Sequence, residues 1–468
     1  MTGQTLIEKL WKLHTVADLG GGAALLYIDR IFLHERTGSV SLKELAARNI
    51  PVRHKEHVFV TMDHIVDTLP GRGDDTLMPS GKDFILTTRA AALAAGVNLF
   101  DIKDPRQGIV HVVSAEQGIT LPGFTQVCPD SHSCTLGALG AFAWGIGSTQ
   151  GTHALATKTL EVAKPKMMRV TFTGKLGPGV TSKDMILHLI GKYSASGGSG
   201  YAIEFAGPGI TSLPQENRFT ICNMAVEFGA FTGIIAPDET TFAWIEGRPY
   251  APAGALWDQA VAHWRTLNSD ADAVFDQEIV IDCADISPTV TWGTSPGQTS
   301  PIAGEVPDPA ATADDAVRKA AEKALQYMDL TPGMKLEGLP ITAAFIGSCT
   351  NARLSDLQAA AAVVKGRHVK AGVRAIVVPG STKVKRDAEA EGLDRIFTDA
   401  GFEWREAGCS MCFFAGGESF GEKERVISST NRNFENRQGP KTRTHLASPA
   451  TVAASAIAGA IADARKLG

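Results

Sequence analysis

The chain has 468 residues, 44% of them hydrophobic and 20% charged, which suits a soluble globular protein of roughly two to four α/β-sized domains. Its formal net charge of −5 gives no reason to expect a nucleic acid or an anionic membrane as partner. The N-terminus lacks a signal-peptide core, and no apolar run reaches the roughly 20 residues that span a bilayer, so we expect a cytoplasmic protein.

Polar residues follow two predicted strands in the N-terminal part of the chain. The Asp63-His64 pair ends one strand, and the loop Asp130-Ser131-His132 follows another. Taken alone, such groups are more often hydrogen-bonded loop residues than catalytic ones, and His111 is typical of a satisfied strand histidine. The predicted elements are strands at 59–63, 109–113 and 126–127 and a glycine-spaced helical stretch at 136–164.

A second unit begins at a predicted strand, residues 168–173, and runs through another strand at 279–281. Within this unit Glu204 stands among hydrophobic neighbours, where an ionised carboxylate must be paired or functional. Residues 287–309 are rich in proline, glycine, serine and threonine. That composition favours an extended connector over packed regular structure.

Strands and helices alternate in the third unit, which predicts a parallel sheet with helices on its faces. In such sheets the ligand crevice lies outside the carboxyl ends of the strands. Both cysteine loops follow strands, so Cys349 can meet Cys409 and Cys412 there. The predicted elements are strands at 341–346, 374–378 and 402–406 and helices at 356–364, 383–400 and, in an alanine-rich tail, 453–464.

The seven cysteines are odd in number and irregular in spacing, so they are not a disulfide framework. Cys349 together with the C-x-x-C pair Cys409 and Cys412 offers three soft thiolate ligands. From spacing alone an iron–sulfur cluster, zinc, a redox pair and unliganded core cysteines all remain open. The other four are expected to be small buried hydrophobes: Cys128, Cys134, Cys222 and Cys283.

Several long motifs resemble the aconitase superfamily and, more closely, the family of 3-isopropylmalate dehydratase (isopropylmalate isomerase) large subunits. They occur in the same order nearly end to end, which makes the set far more specific than any one motif. The motifs are LLYIDR at 25–30, TMDH at 61–64, PDSH at 129–132, ICNMAVEFGA at 221–230, VTWGTSPGQ at 290–298, GSCTNARLSDL at 347–357, GCSMC at 408–412 and TNRNFENRQGPKTRTHLASPA at 430–450.

The resemblance implies three aconitase-type α/β/α domains around a central cluster-binding cleft, without the swivelling fourth domain of the single-chain members. We place these domains at residues 1–164, 165–290 and 331–468, with a connector at 291–330. The missing domain would be a separate small subunit that supplies the proton-abstracting base, since no GSS-type loop occurs in the chain.

The resemblance also implies a hydro-lyase of the EC 4.2.1 type that dehydrates and rehydrates a malate derivative, a small hydroxy-diacid. The expected activity isomerises 2-isopropylmalate and 3-isopropylmalate in leucine biosynthesis, and a 4Fe–4S cluster with one iron not bound by protein acts as Lewis acid. The implied site residues are the metal ligands Cys349, Cys409 and Cys412; the catalytic residues Asp63, His64, Asp130, His132 and Glu204; the substrate-binding residues Ser131, Asn431, Arg432 and Arg437; and the near-site residues His111 and Asn351.

The chain departs from the family pattern near the site. Residues 413–416 read Phe-Phe-Ala-Gly where a Leu-x-Met-Asn run is usual, Ser133-Cys134 follows the Asp-Ser-His triplet, and Asn436 replaces a usual glycine. Methylmalate (citramalate), dimethylmalate or another substituted malate would suit the same chemistry, so the departures put the substrate in doubt.

Functions of other classes have weaker signals. Residues 417–421 satisfy the G-x-S-x-G pattern of a serine hydrolase with Ser419 as nucleophile, which requires a strand before the serine and a helix after it. The Gly145-Ile146-Gly147 segment lacks the third glycine of a dinucleotide fingerprint. An RNA-binding regulator is disfavoured because the charge balance is acidic and no basic stripe is present.

Overall fold

The computed structural model describes residues 3–414 and 417–467, and residue contacts divide the chain into two units. Among the described residues, no helix is long and apolar enough to cross a membrane. The first unit comprises Met1–Ile65, Ser80–Lys175 and Gly198–Asp282, and the second comprises Val66–Pro79, Leu176–Gly197 and Cys283–Gly468.

The first unit contains two parallel sheets and a small antiparallel one. The five-stranded parallel sheet has the order β5-β4-β3-β6-β7, the four-stranded parallel sheet the order β11-β10-β9-β12, and the antiparallel sheet the order β1-β2-β8. The strands are β1 Thr15–Gly20, β2 Ala23–Tyr27, β3 Arg30–His34, β4 Val58–Thr61, β5 Asn98–Phe100, β6 Thr125–Cys128, β7 Phe142–Gly145, β8 Thr159–Ala163, β9 Lys166–Thr173, β10 Tyr201–Ala206, β11 Thr232–Ile234 and β12 Gln277–Asp282.

Helices cover both parallel sheets of the first unit, so the central strands are buried on both faces and read as continuous apolar runs. Phe32 of β3 stacks on Phe59 of β4 with ring centroids 5.8 Å apart. The helices of this unit are α1 Leu6–His14, α2 Gly38–Ala47, α3 Gly81–Ala95, α4 Val110–Glu116, α5 Ser148–Thr157, α7 Pro208–Thr211, α8 Gln215–Asn223, α9 Glu239–Ile245 and α10 Ala255–Trp264.

A 3-10 helix, Ser131–Leu139, follows β6 and joins the two parallel sheets of the first unit. A Cβ added at Gly137 would lie 1.8 Å from the carbonyl oxygen of Gly233 in β11, so this approach requires glycine. Close packing also explains why the predicted helix at 136–164 is wrong. The stretch instead continues through β7, α5 and β8.

The second unit is built on a five-stranded parallel sheet with the order β17-β16-β15-β18-β19 and carries one antiparallel hairpin, β13-β14. The strands are β13 Thr289–Thr291, β14 Thr299–Pro301, β15 Ala343–Ile346, β16 Arg374–Val377, β17 Glu403–Trp404, β18 Arg425–Ser428 and β19 Arg443–Leu446. The helices are α6 Ser182–Tyr193, α11 Asp315–Met328, α12 Leu354–Val364, α13 Thr382–Ala390, α14 Leu393–Ala400 and α15 Pro449–Ala458.

Two local predictions are wrong. Residues 109–113 form α4 rather than a strand, because every position from Val110 to Ala115 is buried and tertiary packing overrides the strand preference of its valines. Residues 287–309 are not extended throughout, since they contain the β13-β14 hairpin. The domain boundaries remain a prediction.

Candidate active site

The Asp63-His64 pair follows the carboxyl end of β4 in the first unit. The ring of His64 lies between two carboxylates: its Nδ1 is 2.7 Å from Asp63 Oδ1, and its Nε2 is 3.2 Å from Asp130 Oδ2. Asp63 is fully buried and also accepts the backbone N–H of Val110 at 3.1 Å. Burial raises the pKa of Asp63, but the charge of His64 and its hydrogen bond lower it below its usual value.

Glu35 holds the backbone of this loop. Its fully buried carboxylate accepts N–H hydrogen bonds from Asp63 at 3.0 Å, His64 at 2.8 Å and Ile65 at 2.5 Å. Burial and the charge of Asp63 raise the pKa of Glu35. The neighbouring His34 stacks on His64 with ring centroids 4.0 Å apart. Sequence reasoning missed Glu35, although an acidic residue at the end of an apolar strand was the available signal.

Three histidines of the first unit lie around the carboxylate of Asp130. Besides His64, it has His111 Nε2 3.3 Å from Oδ1, and it caps the following 3-10 helix by accepting the backbone N–H of His132 at 3.0 Å. Burial raises the pKa of Asp130, yet the charge of His111 and hydrogen bonds from the three histidines hold it well below its usual range. His111 therefore does reach this network, from a helix rather than a strand.

A different glutamate from the predicted one joins the network. Glu227 Oε1 lies 3.0 Å from His132 Nε2, which extends the chain of alternating carboxylates and imidazoles. Glu204, on β10, contacts Ser269 Oγ and lies 3.5 Å from Arg169 Nη2 instead. Burial raises the pKa of Glu204, while Ser269 and Arg169 lower it. Glu227 was missed although it lies inside the quoted motif at 221–230.

Ser131 is exposed, and its Oγ is 3.3 Å from His132 Nδ1. Beside it lies a cavity of about 370 Å³ in the first unit. Its walls combine Asp130 and Ser131 with the apolar side chains of Ile146, Val226 and Phe231. The cavity therefore presents both polar and apolar surface next to the network.

The three predicted cysteine ligands lie at one edge of the parallel sheet of the second unit. Cys349 follows the carboxyl end of β15, and Cys409 and Cys412 follow the end of β17. All three are buried thiols, at 6%, 8% and 7% exposure. The residues next to them adopt left-handed backbone conformations, with φ of 84° at Ser348 and 47° at Ser410. Such conformations are costly for non-glycine residues and concentrate at functional sites.

The spacing of the sulfur atoms bears on which group these cysteines fit. Ligand sulfurs on one tetrahedral zinc ion lie roughly 3.8 Å apart. Among the described residues, the groups whose candidate ligand atoms all lie within 4.8 Å of one another do not include these cysteines. The three thiols as they stand are therefore too far apart to be ligands of one tetrahedral zinc ion.

Asn431 links the cysteine loops. Its Nδ2 lies 3.5 Å from Cys349 Sγ, and its Oδ1 lies 3.9 Å from Cys412 Sγ. Arg437 is buried, with Nη2 3.6 Å from Cys412 Sγ and its guanidinium 4.8 Å from the ring centroid of Phe413. Arg432 is half-buried. These polar groups therefore line the same edge as the thiols.

Asn351, two residues after Cys349, contacts an aspartate and a lysine. Its Nδ2 donates to Asp356 Oδ1 at 3.0 Å, and its Oδ1 accepts from Lys183 Nζ at 3.3 Å. Burial lowers the pKa of Lys183 to about 7. Lys183 was missed because it lies some 170 residues before the loop that it contacts, and nothing in its local sequence marks it.

Glu418 stabilises the C-x-x-C loop from the other side. Its buried carboxylate accepts the hydroxyls of Ser410 and Thr68 and the backbone N–H of Thr68. The neighbouring Ser419 lies in irregular chain, and the next described element is strand β18 rather than a helix. This local structure lacks the strand–serine–helix turn that a serine hydrolase needs.

The structure shows the local surroundings of two of the positions at which the chain departs from the family pattern, Asn436 and Phe413. Asn436 has φ of 65°, a left-handed conformation that glycine adopts freely and asparagine tolerates, so this replacement keeps the backbone shape. Phe413 packs against the guanidinium of Arg437, whereas Ala415 and Gly416 lie outside the described residues.

Comparison with known proteins identifies the family of the chain. A model of the aconitase family (aconitate hydratase) matches residues 8–459. The chain is 54% identical over 465 residues to 3-isopropylmalate dehydratase large subunit 1 of Bradyrhizobium diazoefficiens, covering 99% of this chain and 97% of that protein. A solved structure of Thermococcus kodakaraensis aconitase X covers 92% of this chain and 89% of that one, at 12% identity and a TM-score of 0.46, a likeness too weak to carry an argument. The family match and the high identity show that the chain belongs to the aconitase family.

Proposed function

We propose that this chain is the cluster-binding large subunit of a cytoplasmic hydro-lyase that interconverts 2-isopropylmalate and 3-isopropylmalate in leucine biosynthesis. The observation that carries the proposal is the 54% identity, over 99% of the chain, to a relative named as the large subunit of 3-isopropylmalate dehydratase. Such an isomerisation removes water from a hydroxy-diacid and adds it back on the neighbouring carbon. It needs a Lewis acid for the hydroxyl, an acid, a base and cations for the carboxylates.

Cys349, Cys409 and Cys412 would hold a 4Fe–4S cluster. Their burial and a spacing too wide for one tetrahedral zinc ion support this assignment. When bound, a cluster with three protein ligands offers one iron as a Lewis acid for the substrate hydroxyl. Asn431 lies against the sulfurs of Cys349 and Cys412 and would keep these two ligands oriented.

His64 is the proposed acid that protonates the leaving hydroxyl. The ring can donate from both nitrogens only when it is protonated, and carboxylates lie near both of them. Asp63 fixes the Nδ1–H, so the proton available for transfer is the one on Nε2, which faces Asp130. Because His34 stacks on the ring and Glu35 fixes its backbone, His64 is held in one orientation before substrate arrives.

The remaining polar residues would bind the two substrate carboxylates and order the network. Arg432 and Arg437 can bind a carboxylate through the paired N–H groups of guanidinium, and the exposed Ser131 can donate one further hydrogen bond. We assign the glutamate of the network to Glu227, because it contacts His132 whereas Glu204 contacts Arg169 and Ser269.

The base that takes the carbon-bound proton is assigned to a separate small subunit. The name of the relative, a large subunit, supports a second chain. We therefore expect the isolated chain to bind the cluster yet turn over little substrate, and to become active when the small subunit is added.

An anaerobic assay tests this function. The reconstituted chain is mixed with its cognate small subunit, and the absorbance of the unsaturated product is followed with 3-isopropylmalate, methylmalate and dimethylmalate. We expect 3-isopropylmalate to react fastest, and the H64N variant to lose about 10²- to 10⁴-fold in kcat, while H153N, at an exposed histidine, keeps it. Preference for methylmalate or dimethylmalate would overturn the substrate, and full turnover without the small subunit would overturn the partner.

A further inference from the structure

Lys183 at the start of α6 is a fully buried lysine in the second unit. Its ammonium donates to the backbone carbonyls of Ser429 at 2.8 Å and Thr430 at 2.5 Å and to Asn351 Oδ1 at 3.3 Å. All three acceptors are neutral. Burial lowers the pKa of Lys183, and the charge of Asp356, followed by those of the Cys349 and Cys412 thiols, raises it.

A buried ammonium whose direct acceptors are all neutral is costly, because three carbonyl dipoles only partly replace the water that it loses. Proteins retain such a charge where a nearby negative group compensates for it. Lys158 of the first unit offers a comparison, because it is also fully buried and its Nζ donates to a neutral acceptor, the backbone carbonyl of Asp29, at 2.9 Å.

The contacts of Lys183 point to a further negative group besides Asp356. Asn351 is two residues from Cys349, and Thr430 precedes Asn431, whose amide lies near the sulfurs of Cys349 and Cys412. The ammonium is thus anchored to both segments that position these thiols. A cubane core of charge about +2 held by three thiolates carries a net charge of about −1.

We propose that Lys183 is the buried counter-charge of the cluster, a positioning residue that joins the two sulfur-bearing loops and stabilises the negative cluster between them. The proposal rests on the proposed function insofar as that function assigns a cluster to these cysteines. A positive charge at this place favours the more negative, reduced form of the cluster and slows its loss.

The test compares K183M, which removes the charge, with K183R, which keeps it, and with K158M as a matched loss of a buried lysine elsewhere. Each full-length variant is reconstituted anaerobically. Iron and sulfide per chain, the reduction potential and the rate of cluster bleaching under a chelator are measured, and the melting temperature of the cluster-free protein is taken as a check of folding.

We expect K183M to shift the potential to more negative values and to lose its cluster about 10-fold faster. K183R and K158M should keep the wild-type potential and rate. Wild-type potential and loss rate in K183M would overturn the proposal. If K183M does not fold, K183Q, which keeps N–H donors for the carbonyls, takes its place. If K183M and K183Q both fail to fold without the cluster while K183R folds, the charge is needed for folding itself, and the proposal is overturned as well.

Failure of the proposed function gives a different result. In that case the wild-type chain itself would take up no iron and sulfide, and the lysine variants would have no cluster signal to compare.

Discussion

The backbone N–H of His64 donates a 2.8 Å hydrogen bond to Glu35, so the residue proposed as acid is held through its backbone by one carboxylate and through its ring by another, Asp63. Glu35 makes the same contact with the N–H groups of Asp63 and Ile65. A buried charge that accepts three backbone N–H groups is a strong anchor, since hydrogen bonds to charged groups contribute more than neutral ones. The loop is therefore fixed in place from its backbone as well as through its side chains.

Replacing Glu35 by glutamine should impair catalysis more than substrate binding. The E35Q variant turns one acceptor oxygen into an N–H donor that faces the loop amides, which misplaces the His64 ring. We expect kcat to fall about 10- to 100-fold and KM to change little, and the melting temperature should also fall, because a buried N–H donor then faces backbone N–H groups. The control is E161Q, at an exposed position on β8. An unchanged kcat in E35Q would show that the loop holds its place without this charge.

Glutamine variants of Glu227 and Glu204 distinguish the two glutamates. Because Glu227 contacts His132, E227Q should lower kcat by about 10- to 100-fold while leaving the fold intact. Because Glu204 contacts Ser269 and Arg169, E204Q should change the melting temperature and leave kcat within about threefold. Steady-state kinetics and thermal melting on the same preparations measure both. The reverse pattern would return the catalytic role to Glu204.

The third unit of the sequence was predictable because its pattern is local. Short apolar runs alternate with helical segments from residue 341 onward, and a parallel sheet brings all carboxyl strand ends to one edge. The convergence of Cys349 with Cys409 and Cys412 follows from that rule without any knowledge of side-chain contacts. It is found in the structure at the ends of β15 and β17.

Other features depend on contacts that no local pattern reveals. Helix α4 could not be distinguished from a strand, because its positions are almost all buried and a continuous apolar run has neither helical nor strand periodicity. Glu35 contacts residues 28 to 30 positions later in the chain, and Glu227 contacts a histidine 95 positions earlier. Such partners become visible only when the strands that carry them are placed side by side.

Removal of one predicted cluster ligand should abolish iron binding without unfolding the chain. The C349A, C409A and C412A variants should each fall from about four irons per chain to less than about one, since a cubane held by two thiolates is readily lost. The matched control is C283A, at a buried cysteine of the same unit that is not a predicted ligand, and this variant should keep its iron. Iron analysis and visible absorbance after anaerobic reconstitution measure this outcome. Full iron content in any of the three ligand variants would remove that cysteine from the ligand set.

His445 should make the protein less stable in mild acid. Its buried ring is neutral, with Nδ1 donating to Thr291 O at 2.7 Å and Nε2 accepting from Arg425 Nη1 at 3.0 Å. Burial, and next the charge of Arg425, lower the pKa of His445 to about 3. In the unfolded chain the ring has a pKa of about 6.5. As the pH falls below that value, only the unfolded state gains this proton, so stability is complete above about pH 6.5 and is lost progressively toward pH 3.

The pH dependence of the free energy of unfolding that we expect from His445 corresponds to the uptake of one proton by the unfolded chain. Below pH 6 the free energy of unfolding should fall by about 1.4 kcal/mol per pH unit on account of His445. His34 contributes in the same direction, since burial and the charge of His64 lower its pKa to about 4. Urea unfolding from pH 7.5 to 5.0 should therefore show a shallower pH dependence in H445Q, by close to one proton, than in wild type or in H153Q, at an exposed position. Equal slopes in all three proteins would mean that the folded chain already accommodates a charged ring beside Arg425.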